Sequence, residues 1–98
     1  MKAAVFHGPA VGLKIEDIPV PKIGPDQALV KVAACGACHT DLHYIEHGVP
    51  TFKKPPIVLG HEASGIVEDI GASVTNVRKG QRVLIPAVLT CGKCTMCR

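Results

Sequence analysis

Ten glycines and eight prolines recur along the whole of this 98-residue chain, and that punctuation limits the fold more than any other feature. Proline lacks a backbone N–H and fixes φ, and glycine favours turns, so the segments between them are short. The densest group, Pro19, Pro21 and Pro25 with Gly24 and Asp26, makes a stiff turn region that no helix or central strand crosses. Val, Ile and Ala dominate the 47% hydrophobic content, and aromatics reach only 3%. Short, β-branched segments bounded by turns imply a β-rich core.

Lys2 to Phe6 (KAAVF) reads as a strand closed by His7-Gly8-Pro9, and Leu13 to Val20 alternates apolar with charged residues as a second. Gln27 to Ala34 is a third, with Leu29, Val30 and Val32 as its apolar members. Thr40 to Glu46 predicts about two helical turns. Thr40 or Asp41 is the expected N-cap, and Gly48 and Pro50 end the helix. Val49 to Pro56 reads as an exposed loop. Ile57 to Ile70 divides at Gly60 and Gly65, which leaves Ile66 to Ile70 as strand. A tight turn at Arg78-Lys79-Gly80-Gln81 leads into a strand over Arg82 to Pro86. The fold class expected is mainly β, a small barrel or sandwich with one short helical segment.

Ninety-eight residues allow one domain. The net charge of +3 is distributed without a basic tract, and Phe6, Tyr44 and Phe52 are the only aromatics on which bases could stack. Nucleic acid is therefore not an expected partner. The N-terminus reaches Gly8-Pro9 before any signal-peptide run forms, and no segment approaches the ~18 apolar residues of a membrane span. No membrane partner is expected, and the expected location is cytoplasmic. Five cysteines, an odd number grouped with histidines, point to metal binding in a reducing compartment over a disulfide framework.

Cys35 to His43 (CGACHTDLH) packs two thiols, two imidazoles, a hydroxyl and a carboxylate into nine residues, and Gly60-His61-Glu62 adds two more potential ligands. Cys38 follows a strand end and His61 sits at a glycine-flanked turn, where irregular backbone lets side chains converge. Taken singly each has a plainer reading, a buried small apolar residue for Cys38 and a surface or capping group for His61. Cys91, Cys94 and Cys97 form Cys-x2-Cys-x2-Cys, a spacing that favours one tetrahedral zinc and also matches the start of an iron–sulfur site. Two other patterns lack their context. Cys35-x2-Cys38 has no surrounding βαβ unit, and His43-x2-Glu46-His47 is followed at once by Gly48 and Pro50 where a peptidase helix would continue. No Gly-x-Gly-x2-Gly or phosphate loop is present.

Taken in order, CGACHTDLH, LGHEASGIVEDIGASV, RKGQRVLIP and the Cys-x2-Cys-x2-Cys loop resemble the N-terminal catalytic domain of zinc-dependent medium-chain alcohol dehydrogenases. The resemblance covers nearly the whole chain and implies a GroES-like β-barrel. It makes Cys38 and His61 ligands of a catalytic zinc, Glu62 a carboxylate that approaches or ligates the same ion, and Asp41 the partner that fixes the His61 tautomer. Thr40 would take the proton of a bound alcohol, His43 would pass it towards solvent, and His39 would face the pyrophosphate of NAD or NADP. Cys91, Cys94 and Cys97 would hold a second, structural zinc, and Cys35 is left without a role.

The resemblance also sets what is expected beyond residue 98: a fourth structural cysteine, a third protein ligand for the catalytic zinc, the nucleotide-binding domain and the chain that completes the barrel. Residues 1–98 are thus expected to be an incomplete catalytic domain, inactive alone, from an NAD(P)-dependent enzyme that oxidises a small alcohol to aldehyde or ketone. The implied assembly is a homo-dimer or homo-tetramer. The alternative is a free-standing GroES-like module that binds metal or another protein without catalysis.

Overall fold

A computed structural model describes residues 1–97. The described residues form six strands, β1 (Lys2–Phe6), β2 (Leu13–Asp17), β3 (Ala28–Cys35), β4 (Ile57–Val58), β5 (Ala63–Ile70) and β6 (Arg82–Leu84), with a single helix, α1 (His39–Ile45), between β3 and β4. The strands make two antiparallel three-stranded sheets, ordered β2-β1-β4 and β3-β5-β6. The mainly β class with one short helix is as the sequence predicts. The barrel is present as two open sheets, with β2, β4, β3 and β6 each leaving an edge that no described strand covers.

In the first sheet β1 is central. Its register runs from Lys2 opposite Asp17 to Phe6 opposite Leu13 on one side, and places Val5 against Val58 on the other. The turn between β1 and β2 closes through the Gly12 amide donating to the Gly8 carbonyl at 2.8 Å, with Gly8 at φ +110° and Gly12 at φ +77°. Strand β2 stops at Asp17, short of the predicted Val20. Ile18 bonds the Met1 carbonyl, and Pro19 has no N–H with which to extend the ladder.

In the second sheet β5 is central and continuous across Gly65, where the sequence suggests a break. Gly65 is buried, and a Cβ there would fall on the Lys31 carbonyl oxygen and 2.8 Å from Val30 Cγ1. The residue is glycine because β3 passes too close for a side chain, not because the strand ends. Register shifts in the β3–β5 ladder fall between Leu29 and Val30 and between Val32 and Ala34, and such irregularities bend a strand and re-aim the residues beyond.

Val5, Phe6 and Val67 are the buried apolar side chains, while Leu84, Val88 and Leu89 stand exposed. The stiff turn after β2 packs backbone to backbone on the turn after β5. A Cβ at Gly71 would collide with the carbonyls of Gly24 and Pro25, and the Gly71 amide donates to the Gln27 carbonyl at 2.8 Å. Among the described residues no helix is long and apolar enough to cross a membrane.

Candidate metal centre

The end of β3 and the start of β5 build one site together. Cys35 lies opposite Ala63 at the last rung of their ladder, and the Gly36 amide donates to the Glu62 carbonyl at 3.1 Å one step further on. From that clamp the two chains diverge. One turns through Ala37 and Cys38 into α1, and the other leads back through Glu62 and His61 to Gly60, whose φ of +110° only glycine adopts readily. One ligand atom each from Cys38, His61 and Glu62 lies within 4.8 Å of the others. Thiolate, imidazole and carboxylate on such a triangle suit a borderline-soft divalent ion such as zinc.

Asp41 ties the two halves together. As the third residue of α1 it accepts the Cys38 backbone N–H on Oδ2 at 3.2 Å, and it turns Oδ1 towards His61 Nδ1 at 3.7 Å. The second distance is too long for a hydrogen bond but close enough to orient the ring and favour a proton on Nδ1, which leaves Nε2 to bind a metal. Cys38 is the N-cap, one or two residues before the predicted Thr40 or Asp41, with φ −90° and ψ 148°. Cysteine is not a common cap, which hides this boundary in the sequence.

On the exposed side of α1, Thr40 Oγ1 lies 3.5 Å from Cys38 Sγ. The rings of His39 and His43 meet edge to face with centroids 4.9 Å apart, and those of His43 and His47 follow at 5.3 Å. This row of three imidazoles was legible in the four-residue spacing, yet His47 stands out in the sequence only through its place in the peptidase-like pattern. That pattern makes no site here, because α1 ends at Ile45. Between α1 and the first sheet lies an open cavity of about 570 Å³ lined by Leu13, Leu42, Ile45 and Leu59 with Cys38 and Asp41.

Cys91, Cys94 and Cys97 form the second cluster, with ligand atoms again within 4.8 Å of one another. Cys94 Sγ is 3.4 Å and Cys91 Sγ 3.8 Å from Cys97 Sγ. The backbone N–H groups of Lys93 and Cys94 point at the Cys91 sulfur, and with the neighbouring thiols they pull it down to about 7. Gly92, at φ +68°, provides the bend that aims those amides inward. All five cysteines are free thiols, including Cys35 and Cys38. Cys35 packs its sulfur against Gly60, 2.8 Å from where a Cβ would stand, so it belongs to the interlock of the two strands.

The pattern of the alcohol dehydrogenase GroES-like domain family matches residues 24–98. The chain belongs to that family. This GroES-like domain is 46% identical over 99 residues to an alcohol dehydrogenase of Rhizobium meliloti (strain 1021), a match that covers 100% of the chain and 29% of the relative. It superposes with a TM-score of 0.88 and 41% identity on zinc dependent alcohol dehydrogenase 2 from Streptococcus pneumonia in its apo form, over 99% of the chain and 28% of that protein. A Sinorhizobium meliloti 1021 protein bound to NADP gives 0.83 and 36%, over 98% and 27%. The domain spans about 29% of the length of the curated relatives it matches.

Except for Cys35 at the end of β3 and Glu46 and His47 beyond the end of α1, the residues singled out in the sequence fall in these two clusters or on α1. The GroES-like domain brings Cys38, His61, Glu62 and Asp41 together, keeps Thr40 beside Cys38, and sets Cys91, Cys94 and Cys97 apart on their own loop. Gly36, where a Cβ would meet the Glu62 side chain, is the position that the sequence reading passed over; its place two residues before Cys38 was the available signal.

Proposed function

We propose that Cys38, His61 and Glu62 hold a catalytic zinc, and that these residues form the zinc-bearing part of an NAD(P)-dependent alcohol dehydrogenase. The observation that carries this reading is the convergence of one donor atom from each of the three within 4.8 Å, with Asp41 Oδ1 turned towards Nδ1 of the His61 ring. Membership of the alcohol dehydrogenase GroES-like family supports it. When bound, zinc supplies charge stabilisation: it lowers the pKa of a bound water from about 15.7 to about 7, some 12 kcal/mol that serves an alcohol oxygen in the same way.

The residues of this chain then have only to position and move a loosened proton. Thr40, beside the Cys38 sulfur at 3.5 Å, offers a hydroxyl that accepts the alcohol proton while releasing its own. His43 passes that proton outward, as an imidazole does at neutral pH. The exposed His47 ring, edge-on to His43, extends the row towards water. His39, exposed at the start of α1, would face the pyrophosphate of NAD or NADP. A nicotinamide cofactor would be held largely by other residues of the whole enzyme, since these 98 contain no Gly-x-Gly-x2-Gly. Residues 1–98 are thus a GroES-like catalytic portion that oxidises no alcohol alone. Cys91, Cys94 and Cys97 hold a structural zinc, and the whole enzyme is a cytoplasmic homo-dimer or homo-tetramer acting on small alcohols.

Joining this chain to the remainder of the Rhizobium meliloti relative tests the reading. The zinc-loaded fusion is expected to reduce NAD or NADP in an alcohol-dependent manner and to lose that activity with Cys38→Ser. An intact, zinc-loaded fusion that oxidises no alcohol would overturn it in favour of a metal-binding module without catalysis.

A further inference from the structure

We propose that Gly36 is the positioning residue for the Glu62 carboxylate, and that the missing side chain at position 36 is what lets Glu62 reach the Cys38–His61 pair. The inference rests on the reading of Cys38, His61 and Glu62 as a metal site. Gly36 is not among the glycines with positive φ, so backbone conformation does not explain it. Space does. A Cβ built on Gly36 falls on Glu62 Oε2 and lies 3.1 Å from Glu62 Cβ and 3.2 Å from Cδ.

The backbone has no easy way to relieve such a clash. Gly36 and Glu62 are joined by an amide–carbonyl bond of 3.1 Å, next to the Cys35–Ala63 rung. The Cys35 sulfur lies 2.8 Å from where Gly60 would carry a Cβ, so the backbone leading into Glu62 is closely packed as well. The part free to move is the far end of the Glu62 side chain. Glu62 is exposed, and among the described residues the ion pairs are His7–Glu16, His61–Asp41 and Lys79–Asp69, none of which restrains its carboxylate. A slot over a bare Cα therefore holds it above the metal-binding pair, and a methyl group in that slot sends it to solvent.

The test is a cobalt(II) titration of the full chain with Cys91, Cys94 and Cys97 replaced by serine, so that thiolate-to-cobalt absorption reports the Cys38 site. Gly36→Ala is expected to weaken cobalt binding by about 10- to 100-fold, the range for losing a supporting group, and Glu62→Ala is expected to do the same. The decisive measurement is the double variant. With Glu62 already truncated, Gly36→Ala should add less than about twofold, because both changes remove one interaction.

Circular dichroism keeps folding separate from binding, and the double variant has no carboxylate left to collide. Gly36→Ala binding cobalt as tightly as the parent, or weakening it as much in the Glu62→Ala background as alone, would overturn the proposal. A parent chain with no cobalt absorption sensitive to Cys38→Ser would instead remove the metal reading itself, and the proposal with it.

Discussion

Cys91 offers the most quantitative test of the second cluster. The amides of Lys93 and Cys94 and the thiols of Cys94 and Cys97 bring it from the ordinary 9.0 to about 7. At pH 7 about half of Cys91 is then thiolate, against about 1% of an ordinary thiol, an advantage of roughly 50-fold in the reactive form. Intrinsic nucleophilicity falls with pKa, with a Brønsted slope of about 0.4–0.5, which takes back roughly 6- to 10-fold over two units. The metal-free chain should therefore alkylate at Cys91 about 5- to 8-fold faster than a single-cysteine reference peptide at pH 7. At pH 9 the order should reverse to about 3- to 5-fold slower, because the reference is by then half ionised and the better nucleophile. Iodoacetamide labelling in chelator and reductant, with site-resolved mass spectrometry from pH 5.5 to 9.5, reads both limbs. A Cys91 midpoint near 9, or no reversal, would refute the argument that those two amides set its ionisation. The sign of the stability linkage follows from the same depression. The contribution from Cys91 is complete above about pH 9, declines as pH falls and is lost below about 7, so the metal-free loop should loosen on acidification.

Asp41 serves two partners that two substitutions can separate. Asp41→Asn keeps an acceptor for the Cys38 amide but removes the charge facing His61, so it should weaken cobalt binding about 10- to 100-fold with little change in melting. Asp41→Ala should weaken binding and also cost about 1 kcal/mol of stability through the lost helix start, measured by urea denaturation. Gly65→Ala should cost about 1–3 kcal/mol in the same assay, because its methyl meets the Lys31 carbonyl. Phe6→Ala, at a side chain 1% exposed, should cost about 3–5 kcal/mol, enough to unfold a chain with so few buried apolar residues.

Local pattern was enough for the place of most strands but not for their ends. Lys2 to Phe6 is bounded by turn residues whose chemistry acts within a few positions and matches as read, whereas the run expected over Arg82 to Pro86 stops at Leu84 and the two-residue β4 was not foreseen. The continuity of β5 through Gly65 was not legible, because the reason for that glycine lies on Lys31, far away in the chain on the neighbouring strand. The start of α1 was missed by a residue or two because its cap is a cysteine whose N–H is satisfied by Asp41, a reversal of the usual side-chain cap. The site residues were identified by motif. What the motifs could not convey is the mutual packing of Gly36 with Glu62 and of Gly60 with Cys35, since neither glycine announces whether it serves conformation or space.

The last rung of the β3–β5 ladder also makes the candidate metal centre a clock. Cys38 and His61 come from opposite sides of a long loop and meet only when Cys35 stands opposite Ala63; a slip of one residue would turn every side chain of β5 to the other face. Cobalt absorption that requires both ligands must then appear no earlier than correct strand pairing. During refolding from denaturant, its rise would time the arrival of this one long-range pairing separately from secondary structure at large.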